Sequence, residues 1–350
     1  MKNIKIAIVD TGVDIEDDLL KNKIKYNPSY QLNSFNNSIS DINDINGHGT
    51  MCAKTIIEIC NDVDIYPIKI FEDSGKTNSL NAITVFNKLL NEDIDIINIS
   101  ASTINTNYKE ELYNICDKLS SEGKIIISSL HNRAYDKISY PTIFSNVIGV
   151  CGDERITKDE YFIYDKKEKI QMKANINKKL VKFRDSVTDF GRSSRATALT
   201  TGIVAKYFYK HGKMSFNRLE NLLEEKSVSE IFLGNLSKCK NKRINNPQRK
   251  KYETKKINSE QIHKYNQKQI LEVINNKFAI KKIDLEFVEK YSIFNNITGI
   301  GNYNAYEFLK EINNKFKIVI DYNDLFLYQL EDVDSILQLI EEKTKVKKNN

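Results

Sequence analysis

Three segments of the chain hold residue types that together carry out nucleophilic catalysis: a carboxylate, an imidazole and a hydroxyl. Asp10 ends an apolar run and precedes the turn Thr11-Gly12, His48 lies between two glycines, and Ser194 begins a helical run of small residues. A serine hydroxyl attacks a carbonyl when a histidine takes its proton and a carboxylate orients that histidine. Each segment alone is weak evidence, because most such residues are structural. Taken together, they indicate a hydrolytic site.

The three segments resemble the motifs of the subtilisin-like (subtilase) family, whose catalytic residues follow the chain order Asp, His, Ser. The family's Asp motif resembles Asp10-Thr11-Gly12, and its His motif resembles His48-Gly49-Thr50, where Thr50 is expected to cap the following helix. Its Ser motif, Gly-Thr-Ser-x-Ala-Thr-Pro, resembles residues 192–198, with Arg192 in place of the Gly. The resemblance covers residues 4–225 and implies a serine endopeptidase that needs no metal or organic cofactor.

The resemblance also implies a role for each catalytic residue. Ser194 is expected to attack the scissile carbonyl, His48 to act as general base and then acid, and Asp10 to fix the imidazole tautomer. Residues 124–132 resemble the strand that ends in the oxyanion-hole Asn. Asn132 and the Ser194 backbone N–H are therefore expected to stabilise the oxyanion.

Five further residues are expected to contact the substrate. Ser100-Ala101-Ser102 follows a segment like the family's substrate-binding edge, along which a peptide strand would pair. His131 stands where the family usually has the Gly that lines the primary specificity pocket. Its ring should narrow that pocket to Gly or Ala, unless the ring points away and leaves the pocket open. Arg195 follows the nucleophile and either favours an anionic group near the cleaved bond or points to solvent.

Composition restricts the class of protein and its compartment. Apolar residues make up 40% and charged residues 29% of the chain, which is typical of soluble globular proteins. No apolar stretch is long enough for a membrane span, and no signal peptide precedes the first strand, so we expect a cytoplasmic protein without a pro-domain. The five cysteines have irregular spacing and no CxxC pair, which argues against a disulfide framework or a zinc site. The acidic residues of segment 14–18 are expected to form a solvated turn rather than a calcium site.

Short Ile/Val-rich runs alternate with helical patterns over residues 1–150, and this alternation predicts an α/β fold with a doubly wound, mainly parallel sheet. Residues 152–190 are more polar and β-like. The predicted strands are 4–9, 63–71, 94–99, 124–128 and 147–151, and the predicted helices are 49–60, 79–90, 109–121, 194–210 and 216–223.

The remainder of the chain is predicted to form a linker and a second domain, after a protease domain over 1–235. The linker, 236–258, carries nine Lys or Arg and one Glu. It lacks the interleaved aromatic residues of nucleic-acid-binding segments, so a nucleic-acid partner is not expected. Residues 259–350 are predicted to be a small all-α bundle with helices over 260–278, 304–316 and 333–343.

Residues 265–345 resemble an acyl carrier protein. The family's Asp-Ser-Leu attachment site falls on Gly301-Asn302-Tyr303, and Asn302 has no hydroxyl to carry a phosphopantetheine arm. The resemblance therefore implies a carrier-like bundle without carrier chemistry, which would dock a partner or a substrate.

A protease joined to such a module resembles the proteases of peptide-maturation gene clusters. These enzymes remove leader segments from ribosomally made precursor peptides, so we expect cleavage of a peptide or protein substrate after a small residue. One alternative is a general intracellular protein-turnover protease. Another, from a different class, is a non-catalytic scaffold that binds a peptide along the Ser100-Ala101-Ser102 edge.

Overall fold

The computed structural model describes residues 2–32, 42–72, 76–131, 138–229 and 260–348. They form two compact units that do not follow the order of the chain. The first unit comprises Met1–Ile176 and Gly191–Leu233, and the second comprises Asn177–Phe190 and Gly234–Asn350. A segment just before the predicted nucleophile therefore belongs with the C-terminal part of the chain.

The first unit is built on a seven-stranded sheet with the order β2-β1-β3-β4-β5-β7-β6. Neighbouring strands are parallel except for β6, which runs antiparallel to β7. The apolar runs of β3 and β4 are buried along their whole length, as expected for strands covered on both faces. This sheet confirms the predicted α/β class. The strands are β1 (Ile4–Asp10), β2 (Val63–Lys69), β3 (Ile96–Ile99), β4 (Ile125–Ser129), β5 (Ile148–Asp153), β6 (Phe162–Tyr164) and β7 (Met172–Asn175).

Five helices of the first unit were all predicted, with ends that differ by up to three residues. They are α1 (His48–Ile59), α2 (Ser79–Leu89), α3 (Lys109–Ser121), α4 (Arg192–His211) and α5 (Phe216–Lys226). Helix α4 packs against α1 and against strands β3, β4, β5 and β7, so it is buried along most of its length. Within the described ranges, no helix is both long and apolar enough to cross a bilayer.

Among its described residues, the second unit combines a β-hairpin with four α-helices. Residues 260–348 supply α6 (Glu260–Lys277), α7 (Leu285–Lys290), α8 (Ala305–Phe316) and α9 (Val333–Lys348), and the hairpin consists of β8 (Lys179–Phe183) and β9 (Ser186–Phe190). The helical C-terminal region was predicted, whereas its inclusion of the hairpin was not.

The predicted boundary of a contiguous domain over 1–235 is therefore wrong for residues 177–190. The physical reason is that Leu180 lies in the apolar core of the second unit and Val187 packs against the same core. The predicted linker, 236–258, lies outside the described residues.

At Gly202, helix α4 lies directly against α1. A Cβ built there would lie 2.7 Å from the Ile59 Cβ and 2.9 Å from the Ile56 carbonyl oxygen, closer than atoms pack. We expect Gly202→Ala to lower the free energy of unfolding, because overpacking costs about 1–3 kcal/mol and outweighs the helix-propensity gain of about 1 kcal/mol. Chemical denaturation measures the change. Thr84→Ala, at an exposed position of α2, is the control and should leave stability equal or slightly higher. A Gly202→Ala variant as stable as the wild type would contradict the packing argument.

Candidate active site

Asp10 and His48 form a hydrogen-bonded pair at the carboxyl end of β1. Asp10 is the last residue of the strand and His48 is the first residue of α1. The His48 Nδ1 lies 2.7 Å from the Asp10 Oδ1, and the Thr11 backbone N–H donates to the same oxygen at 2.8 Å. Because Nδ1 donates to the carboxylate, a neutral ring keeps Nε2 as a proton acceptor. This is the protonation pattern of a general base.

Glycine allows the start of α1 to approach the end of β1 so closely. A Cβ at Gly49 would lie 2.1 Å from the Gly12 carbonyl oxygen and 3.2 Å from the Asp10 Cβ. The Gly49 N–H donates to the Thr11 Oγ1 at 2.9 Å and ties the helix to the turn after the strand. Any side chain at position 49 would push His48 away from Asp10.

A second buried carboxylate, that of Asp44, orders the turn before α1. Its Oδ1 accepts the backbone N–H groups of Asn46 and Gly47, and its Oδ2 accepts both the backbone N–H and the hydroxyl of Thr50. The prediction that Thr50 caps the helix was therefore wrong, because Asp44 fills that role. The Thr50 hydroxyl oxygen instead accepts the Asp14 N–H at 2.9 Å.

Cys52 lies one helical turn after His48 and beneath the pair. Its Sγ is 3.8 Å from the Asp10 Oδ2, 4.0 Å from the His48 Nδ1 and 3.6 Å from the Ser100 Oγ. Burial raises the pKa of the Cys52 thiol, so it is a neutral wall of the site. Sequence reasoning had not placed Cys52 at the site. The i, i+4 spacing from His48 was the available signal.

The electrostatic balance of the pair favours a protonated ring. Burial disfavours the imidazolium, but the Asp10 carboxylate outweighs this effect and raises the pKa of His48 well above its ordinary value. About a third of the side chain (32%) remains exposed, so the ring can still exchange protons with solvent or a ligand.

Ser194 lies in the first turn of α4, the helix that packs against α1, and its side chain is nearly buried at 6% exposure. The first N–H groups of a helix have no partner within the helix, and the dipole makes that end positive. The Ser194 N–H is therefore available to a developing oxyanion.

The environment of Arg195 differs from both alternatives that the sequence had suggested for this side chain. Its side chain is 1% exposed, and its Nη2 donates to the Asp159 Oδ2 at 2.6 Å. The Asn175 Nδ2 donates to the other Asp159 oxygen at 2.8 Å. The guanidinium thus neither points to solvent nor offers an uncompensated charge to a substrate anion. It joins the helix of Ser194 to the segment after β5, and sequence reasoning had no signal for its partner.

The predicted substrate edge begins beside the catalytic pair, since Ser100 contacts Cys52. The segment Ser100-Ala101-Ser102 follows β3 directly. The next residue, Thr103, pairs with Tyr140 through two backbone hydrogen bonds. His131 is half-buried just after β4. The predicted oxyanion donor, Asn132, lies outside the described residues.

Two groups of side chains bear on metal binding, namely a cluster at the catalytic pair and the acidic turn of residues 14–18. In the part of the chain that the structure describes, one group of potential ligands comes together, namely Asp10, His48 and Cys52 within 4.8 Å of one another. The first two already bond to each other, and the thiol is neutral. The acidic turn is not fully solvated as expected, because Asp14 is buried and Asp17 pairs with Lys54 at 2.6 Å.

The His48 pKa gives a direct test of the pair. We expect the ring to titrate above about 6.5, its ordinary value, because the Asp10 carboxylate stabilises the charged form. The charge pair of Asp10 with protonated His48 then stabilises the fold fully below the pKa that His48 has in the unfolded chain. This stabilisation is lost as the pH rises through the raised pKa of His48 in the folded protein. In Asp10→Asn the midpoint should fall by about 1–3 units. Nuclear magnetic resonance titration of the His48 ring in the two proteins measures both midpoints. Equal midpoints in wild type and Asp10→Asn would refute the electrostatic account.

Asp44 gives a graded test of the turn. Asp44→Ala leaves the N–H groups of Gly47 and Thr50 without their acceptor, so we expect a loss of about 1–3 kcal/mol in the free energy of unfolding. Asp44→Asn keeps one acceptor oxygen and should lose clearly less. Denaturant titration of both variants measures the order, and equal losses would show that the hydrogen bonds are not the cause.

Comparison with known proteins agrees with this geometry. The model of the Subtilase family matches residues 1–262. The minor extracellular protease Epr of Bacillus subtilis (strain 168) is 28% identical over 159 residues, which cover 43% of this chain and 23% of Epr. A thermostable alkaline protease of Halalkalibacterium halodurans is 24% identical over 160 residues, covering 42% and 40%. The matched part of the chain thus spans less than half the length of each of these curated relatives.

Solved structures share the fold. Sphericase superposes with a TM-score of 0.53 at 21% identity, covering 64% of this chain and 83% of that protein. The crystal structure of a lanthipeptide protease gives a TM-score of 0.51 at 18% identity, covering 63% and 79%. At these identities the likeness establishes the fold alone. The match of the family model over more than half of the chain establishes more: the chain belongs to the subtilase family.

Proposed function

We propose that this chain is a serine endopeptidase in which Ser194, His48 and Asp10 act as the catalytic triad. The observation that carries the proposal is the 2.7 Å bond between the Asp10 carboxylate and the His48 Nδ1, on a helix packed against the helix of Ser194. Burial of the Asp10 carboxylate carries a desolvation cost, and a buried carboxylate that shifts the pKa of a partly exposed histidine is typical of functional sites.

The chemistry proceeds in two acyl-transfer steps. The Ser194 Oγ attacks the scissile carbonyl while His48 Nε2 takes its proton, and Asp10 stabilises the resulting imidazolium. His48 then protonates the leaving amine, and a water molecule hydrolyses the acyl-enzyme by the same route in reverse. The Ser194 N–H and Asn132 supply the proposed oxyanion hole, in which loss of one donor costs about 10²–10³ in rate.

The proposed substrate is a ribosomally made precursor peptide, cut after a small residue to remove its leader. His131 supports a narrow primary pocket, since a ring there takes the place of the usual glycine. One structural neighbour is a lanthipeptide protease, which makes such precursors the first substrate class to test. We also propose a cytoplasmic location, which is supported by the free thiols of the four described cysteines.

The C-terminal helices are proposed to form a carrier-like module that lacks carrier chemistry and docks a partner or the substrate. Helix α8 begins directly after the short turn Asn302–Asn304, where a carrier would bear its attachment serine. Asn302 has no hydroxyl, and the neighbouring Tyr303 is 83% exposed. An exposed aromatic residue at that position suits recognition of another polypeptide.

Wild type and Ser194→Ala, incubated with candidate precursor peptides and with casein, test the proposal by mass spectrometry. We expect wild type to cut a precursor at one site after Gly or Ala and Ser194→Ala to leave it intact. His131→Gly is the specificity variant and should extend cleavage to peptides with Leu or Phe before the cut.

Each contrary result points to a different function. Ser194-dependent cleavage of casein at many sites would replace leader removal with general protein turnover. Peptide binding by wild type without any cleavage would replace the endopeptidase with a non-catalytic scaffold. Efficient cleavage after Phe or Leu by wild type would overturn the role given to His131.

A further inference from the structure

The hairpin β8–β9 connects the last sheet strands of the first unit to the helix of Ser194. The chain leaves the first unit after Ile176, forms the hairpin within the second unit, and returns at Gly191, three residues before Ser194. The segment that immediately precedes the helix of Ser194 therefore belongs to a different compact unit.

Four kinds of contact hold the hairpin in the second unit. Leu180 is 2% exposed within the helical core, and Val187 packs against that core. The Leu327 N–H donates to the Lys178 carbonyl oxygen at 2.9 Å. Lys179 forms a β-bridge with Phe326, and its Nζ lies 5.5 Å from the centroid of the Phe326 ring.

The hairpin does not have the means to hold its own shape. It has only two strands, paired over five residues on each side. An isolated two-stranded hairpin is at best marginally stable in water, and burial of one leucine contributes about 1.5–3 kcal/mol. The helical module therefore supplies the stability that keeps this segment ordered.

The return from the hairpin passes through a strained residue. Arg192 has a φ of +63°, a left-handed conformation that costs a residue other than glycine about 1–2 kcal/mol. Its N–H donates to the Ile176 carbonyl oxygen at 3.1 Å, which closes the base of the hairpin. A strained backbone of this kind persists only when its surroundings hold it in place.

We propose that the C-terminal module positions the nucleophile. Its apolar core binds the hairpin through Leu180. The bound hairpin keeps Arg192 in its left-handed conformation and thereby keeps the Ser194 hydroxyl in position for attack. The inference rests on the proposed function for its catalytic consequence. Leu180 is a positioning residue, since it acts through the backbone at Arg192 and touches no reacting atom.

The first experiment tests whether the hairpin positions Ser194. It measures, in the full-length protein, the rate at which a fluorophosphonate labels Ser194. We expect Leu180→Ala to slow labelling on the order of 10-fold or more, since an error of 1 Å in position can cost 100-fold. Val181→Ala, on the other face of the same strand, should stay within about twofold of wild type, because no packing of the core is lost.

A second substitution separates positioning from general destabilisation. Arg192→Gly lets the backbone adopt the left-handed conformation without strain, so Leu180→Ala/Arg192→Gly should recover most of the lost labelling rate. Loss of folded protein would not be rescued in this way. Equal rates in Leu180→Ala and Val181→Ala, or no recovery in the double variant, would overturn the inference.

A binding measurement tests, independently of catalysis, whether the hairpin holds the C-terminal module. A specific protease site is inserted within residues 236–258 of the full chain, the connection is cut, and the pieces are passed over a size-exclusion column. We expect the module to stay bound in wild type and to separate in Leu180→Asp. Co-elution in Leu180→Asp would show that the hairpin is not what holds the module. A wild type that keeps its module but shows no labelling would overturn the proposed function and leave the binding of the module to the hairpin intact.

Discussion

The hydrogen bond between Asp10 and His48 is the contact on which the rest of the site depends. A fully buried carboxylate is tolerated only when donors satisfy it, and here the His48 Nδ1–H and the Thr11 N–H do so. To bring the ring to that point, α1 must begin directly against the end of β1. That need explains why glycine stands at position 49 and why a second carboxylate, Asp44, orders the preceding turn.

The burial of α4 imposes the next constraint. This helix packs against both α1 and the sheet, so small residues such as Gly202 must line it. Arg195 is buried in the same helix, and a guanidinium in that position requires a counter-charge, which Asp159 supplies at 2.6 Å. Removing one partner of a buried pair costs about 3–5 kcal/mol. The ion pair therefore joins the first turn of α4 to the segment after β5.

How far the sequence predicts this structure depends on the range of each signal. Periodic apolar runs are local, so the five helices and the strands β1 to β5 of the first unit were predicted to within a few residues, whereas β6 and β7 were foreseen only as a β-like stretch. Asp10, His48 and Ser194 each lie in a short motif and were equally visible. The partnership of Arg195 with Asp159 joins residues 36 positions apart and leaves no local pattern. Asn132 and its oxyanion role stay a prediction.

The hairpin shows the same limit at the scale of a whole unit. Strand β8 carries apolar residues on both faces, Leu180 on one and Val181 and Phe183 on the other, so its sequence does not say which core either face joins. Leu180 is buried in an apolar cluster whose other buried members, Leu327 among them, come from the C-terminal helical region. A boundary drawn at a change of composition, near the basic run, therefore misassigns residues 177–190. The segment that leads to Ser194 thus has apolar contacts among the C-terminal helices, which no local pattern in the sequence reveals.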